Sequence, residues 1–60
     1  MRETQRQALV KAVAALVDEG AATFWELEHQ RVLYGATRGE LAELLHDLDT
    51  PTARAYEGAL

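Results

Sequence analysis

The 60-residue chain contains neither cysteine nor serine. Without thiols, a disulfide framework and a thiolate metal site are both excluded. The two commonest side-chain nucleophiles are missing as well. Threonines remain, but most occupy cap-like or pre-proline positions, and none has a histidine at a telling spacing. Basic residues are few: six Lys and Arg stand against ten Asp and Glu, for a formal charge of −4 and a sequence pI near 4.9. With no basic tail, sequence-independent attraction to nucleic acid or to anionic lipid is weak. Long apolar runs are absent too. The longest unbroken one covers residues 12–17, far below the roughly 20 residues of a membrane span. The opening "MRETQRQ" is polar and leads into no signal-peptide cleavage pattern. No glycine-rich phosphate loop follows a strand, and so short a chain rarely encloses a substrate pocket. These absences describe a cytoplasmic non-enzyme without cofactor, small-molecule substrate or membrane partner.

What is present is helix-forming. Hydrophobic residues make up 48% of the chain, dominated by Ala and Leu with no Ile, a composition that favours α-helix. The length allows one domain, which buries only about 60% of its unfolded surface. Lacking disulfide and metal staples, such a domain gains most from oligomerisation. Three helical segments are expected, at about residues 3–19, 24–33 and 37–48, forming a compact all-α unit over residues 1–49. In the first, Leu9, Val13 and Leu16 repeat at i, i+4, i+7, with Val10 and Val17 beside them. Alanines widen this face beyond the needs of one neighbouring helix pair, which points to burial on two sides. Thr4 is placed to cap its start and Gly20 to end it. "TFWE", Thr23 to Glu26, and "TRGE", Thr37 to Glu40, each have the spacing of a capping box. Gly35 separates the second helix from the third, whose Leu41, Leu44, Leu45 and Leu48 form the clearest apolar stripe. Thr50-Pro51 disfavours continuation. Residues 50–60 then read as a short tail, with one short strand as the alternative.

At residues 15–27, "ALVDEGAATFWEL" resembles the junction of the first two helices in helix-turn-helix and winged-helix proteins. At residues 35–48, "GATRGELAELLHDL" resembles their turn and third helix. The resemblance spans residues 9–48. The stretch from Thr23 to Gly35 is about three residues longer than a compact helix-turn-helix needs. No wing is evident, since a β-hairpin requires two strands and a turn and little chain follows Leu48. The resemblance implies a three-helix domain and a small DNA-associated regulator, while the small size, the missing staples, the wide apolar face of helix one and the surplus aromatic surface point to a homodimer. Thr37, Arg38 and Gly39 would meet bases or phosphate, because the start of the third helix is what reaches base edges in such proteins. Arg38 suits guanine, and Arg31 suits the duplex backbone.

Charge points elsewhere. Glu40, Glu43 and Asp47 share one flank of the third helix, overlapping the face that would enter the groove. The alternative is an acidic protein-interaction module, an adaptor or inhibitor, using an exposed apolar patch. Trp25 and Phe24 are adjacent and cannot share a helix face: one faces the core and the other is partly exposed or covers a partner, the alternative being that both wrap into one irregular core. Val32, Leu33 and Tyr34 add to the apolar surface there, while Leu9 and Val13 offer helix one as a dimerisation face. Two Glu-x-x-His runs, Glu26 to His29 and Glu43 to His46, have the spacing used in carboxylate-bridged metal bundles. Their side chains lie off the apolar faces, so they are assigned to the surface and no metal site is expected.

Overall fold

In the computed structural model, which describes residues 2–60, α1 spans Glu3–Asp18, α2 Phe24–Leu33, α3 Arg38–Leu48 and α4 Thr50–Ala59. The described residues therefore form four helices rather than three. No strand occurs among the described residues, and no helix among them is long and apolar enough to cross a membrane.

Helix α1 begins after Arg2, which makes no side-chain cap. Thr4 lies within the first turn instead of capping it. Helices α1 and α2 end alike. Gly20 and Gly35 take φ of +70° and +71°, a left-handed conformation that costs a side-chain-bearing residue about 1–2 kcal/mol. The reversal lets the Gly20 amide donate to Val17 and the Ala21 amide to Leu16. Likewise the Gly35 amide donates to Val32 and that of Ala36 to Arg31. Two helix ends thus satisfy their last carbonyls by the same Schellman geometry.

The helix starts differ. Around α3 the full capping box forms: the Thr37 hydroxyl accepts from the Glu40 amide at 3.1 Å, and the Glu40 carboxylate accepts from the Thr37 amide at 2.8 Å. That amide bond holds the Glu40 carboxyl below its ordinary pKa, against a smaller opposing effect of partial burial. Around α2 only one half forms, with the Thr23 hydroxyl accepting from the Glu26 amide at 3.3 Å. The Thr23 amide already donates to the Ala21 carbonyl at 2.8 Å, so the reciprocal bond from Glu26 has no donor to use.

Where the sequence suggests a tail or strand at 50–60, the chain turns on one extended residue, Asp49, and enters α4. Pro51 does not stop the helix, because it sits in the first turn, where its missing N–H leaves no bond unmade. Asp49 accepts from the Thr52 hydroxyl at 2.7 Å and fixes the corner.

The core comprises Leu9 and Val13 of α1, Leu27 of α2, Ala36 of the turn, Leu41, Leu44 and Leu45 of α3, and Ala53 and Tyr56 of α4. Helix α4 lies along α3 and also reaches α2, while α1 packs on both α2 and α3. The two-sided burial expected of α1 is met within this one chain. Phe24 joins the core edge with its ring stacked on Tyr56 at 5.4 Å. The Cα radius of gyration is 10.1 Å, close to the roughly 10 Å of a fully packed domain of this length. Residues 50–59 are therefore part of the packed body.

Candidate functional site

The two faces of α2 carry different chemistry. At about 100° per residue, Phe24, Leu27, Glu28 and Arg31 share an arc of roughly 100° that faces the other helices. Trp25, His29, Val32 and Leu33 share a second arc of similar width on the opposite side. The inner arc is buried or half-buried and the outer one is exposed throughout. On the outer arc Trp25 is 80% exposed, Val32 66% and Leu33 63%. Of the two adjacent aromatics, Phe24 turns inward and Trp25 outward, with Trp25 steadied by an edge-to-face contact with Phe24 at 5.7 Å.

On the inner arc Glu28 joins three helices. One of its carboxylate oxygens accepts from Arg31 Nε at 2.8 Å and Nη2 at 2.6 Å. The other accepts from Arg38 Nε at 2.9 Å and from the Tyr56 hydroxyl at 2.9 Å. Arg31 also donates to the Ala36 carbonyl at 3.0 Å, binding the turn to the helix before it. Partial burial alone would raise the Glu28 pKa, but the bonds from Arg31, Tyr56 and Arg38 outweigh it and hold the carboxyl below its ordinary value. The same bond raises the Arg31 pKa. Burial first, and the Glu28 carboxylate second, push the Tyr56 phenol up to about 12.

This cluster bears directly on the residues with a suggested role at DNA. Thr37, Arg38 and Gly39 are exposed at the start of α3, but Thr37 is occupied as a cap. Arg38 leans on Glu28, and Arg31 is half-buried and bound twice over. Farther along α3, Glu40, Glu43, Leu44 and Asp47 line a shallow cleft closed on its α1 side by Arg6. The acidic flank is thus adjacent to the edge a duplex would meet.

The residues suggested for a protein interface separate. Trp25 and Leu33 are both exposed on the outer arc, about two turns apart. Tyr34 is half-buried against the core at the end of α2. Leu9 and Val13 sit at 0% exposure inside the chain's own core. The two Glu-x-x-His runs do not converge: His46 pairs with Glu57 of α4 at 2.6 Å. Among the described residues, no group of three or more His, Asp or Glu side chains gathers as a metal set.

Glu28 and Tyr56 are the residues that sequence reasoning passed over. The i, i+3 spacing of Glu28 and Arg31 is a visible pair signal. The Tyr56 partner, 28 positions away, leaves no local trace. Val32 and His29 fall on the Trp25 side once the helix phase is fixed by Leu27. No known protein family matches the chain, nor does any curated protein or solved structure.

Proposed function

We propose that this chain is a non-enzymatic protein-interaction module whose binding face is the outer arc of α2. The observation that carries this reading is the 80% exposure of Trp25, with Val32 and Leu33 exposed on the same side of the same helix. Trp is among the residues most often found at the energetic centre of protein interfaces. Large apolar side chains exposed on one side of one helix are candidates for a contact site. The acidic cleft of α3 lies off this stripe and leaves it uncharged. A chain with neither Ser nor Cys also lacks the usual nucleophiles. Its shifted Glu28, Arg31 and Tyr56 are bound to one another. We place the protein in the cytoplasm, where a fold without disulfides loses nothing to a reducing environment.

The test is in-cell photo-crosslinking from a benzophenone side chain at position 25. A control probe goes at position 54, which is exposed on α4. Adducts are expected at 25 and not at 54, and Trp25→Ala should shift stability by no more than about 0.5 kcal/mol, as for other surface substitutions. Equal labelling at both positions would remove the α2 reading.

A second reading is favoured by the exposure of Thr37, Arg38 and Gly39 at the start of α3, since a helix N-terminus suits a phosphate. On this reading the chain is a DNA-associated regulator, with Arg38 exchanging Glu28 for a guanine edge. Binding to mixed duplex DNA, followed by fluorescence anisotropy at low salt and again at about 150 mM, should then weaken steeply with salt. Arg38→Ala should erase about 1–3 kcal/mol of sequence preference and keep the fold. Unchanged preference in that variant would end the role of Arg38.

A further inference from the structure

We infer that the outer arc of α2 is covered by a second copy of this chain. The two α2 helices lie antiparallel about a two-fold axis that passes beside His29. The inference rests on the reading of α2 as the binding face and names the partner of that face.

Self-complementarity is the first ground. In a two-fold interface, residue i of one protomer meets residue j of its partner, and j meets i. His29 is the midpoint between Trp25 and Leu33, four residues from each. Antiparallel pairing about it sets the large flat indole of one copy over Val32 and Leu33 of the other, twice. Large meets small at both ends, and the span from 25 to 33 is only about 12 Å of helix.

Charge is the second ground. Across 60 residues with 16 charged side chains, the stripe holds none of Lys, Arg, Asp or Glu. Glu26 lies at its edge, beyond Leu33 on the helix wheel. Glu28 and Arg31 are on the opposite arc and neutralise each other. A second acidic copy therefore brings no carboxylate onto the axis. A strongly charged partner would find nothing of opposite sign on the stripe itself.

Area sets the strength. Trp25, Val32 and Leu33 together expose a few hundred Å², about a tenth of the chain's 3904 Å². That is less than the roughly 800 Å² per partner of a standard stable interface. The dimer is accordingly weak and concentration-dependent, and α1 has no part in it, since Leu9 and Val13 are spent on the chain's own core.

The experiment is sedimentation velocity of the full chain at pH 8 from micromolar to millimolar concentration, with Trp25 emission followed in parallel. Wild type is expected to pass from monomer to dimer with a blue shift of the indole. Trp25→Ala should weaken the association about tenfold or more with unchanged helical circular dichroism. The chain has no native cysteine, so single-cysteine variants read the geometry directly. Because a disulfide needs Cα atoms about 4.4–6.8 Å apart, His29→Cys should oxidise to a linked dimer much faster than Arg54→Cys. A monomer at millimolar concentration, or equal oxidation of the two variants, would overturn the proposal. If the chain stays monomeric while the probe at position 25 labels another protein, the α2 reading stands and only the second copy is lost. Monomer with no labelling at all removes both.

Discussion

Tyr56→Ala is expected to abolish folding at ordinary temperature. Replacing a fully buried aromatic by alanine costs about 3–5 kcal/mol, through lost transfer energy and the cavity left behind. A 60-residue domain has only about 3–9 kcal/mol in all, so the variant sits at or below the folding threshold. The site explains why the upper part of that range applies. Tyr56 is 1% exposed, stacks on Phe24, and anchors α4 to α2 through Glu28. Tyr56→Phe separates the ring from the hydroxyl. It keeps the stacking and loses one hydrogen bond, about 1 kcal/mol, while Glu28 retains Arg31 and Arg38. Urea unfolding followed by far-ultraviolet circular dichroism should rank wild type above Tyr56→Phe, and Tyr56→Phe far above Tyr56→Ala. Equal midpoints for wild type and Tyr56→Ala would mean that α4 contributes nothing. A chain cut after Asp49 that unfolds like the whole would say the same, and would return the three-helix description.

The difference between three helices and four shows which information is local. The boundaries of α1, α2 and α3 are legible within a residue because each has its own signals. Leu9 and Val13, and then Leu41, Leu44 and Leu45, set the periodicity, while Thr23, Thr37, Gly20 and Gly35 mark the ends. Helix α4 carries only two buried residues, Ala53 and Tyr56, too few to raise a periodic pattern above its polar neighbours. Its start was nonetheless written in the chain. Asp49 ahead of Pro51 is a helix-opening arrangement, since proline in a first turn gives up a donor that has no acceptor there. Weighing the same proline as a terminator of α3 conceals the helix it begins. The candidate site divides in the same way. That two adjacent aromatics cannot share one helix face follows from helix geometry. That Trp25 is the one facing solvent depends on where Tyr56 comes to rest against Phe24, a contact across 32 positions. The Glu28 cluster was beyond local reasoning for the same reason, and it changes what Arg38 means: a side chain that looks placed for a groove holds an ion pair to α2 instead.

That cluster also sets how the fold responds to pH, with a limb at each end. The Tyr56 phenol is raised from 10.0 to about 12, so the folded state keeps a proton that the unfolded chain releases earlier. Its contribution is complete below pH 10 and is lost as pH rises from 10 to about 12. Two units correspond to a loss on the order of 2–3 kcal/mol, a large share of a small domain's stability. Glu28 runs the other way. Its pKa is lowered from 4.5 because the ionised form is bound by Arg31, Tyr56 and Arg38, so its contribution is present above pH 4.5 and is lost as pH falls through the folded value. Glu40, lowered by the Thr37 amide, adds to the same acid limb. Thermal unfolding across pH should therefore show a plateau at neutral pH with a fall on either side. Tyr56→Phe should remove the alkaline fall and leave the acid one. Glu28→Gln should flatten the acid limb and lower the alkaline one, because the charge opposing phenol ionisation is gone. Tyrosinate absorbance at alkaline pH gives an independent reading: the late-titrating phenol of the wild type should be missing from Tyr56→Phe. An alkaline limb that survives in that variant would show that the coupling of α4 to Glu28 does not govern the upper end of the stability range.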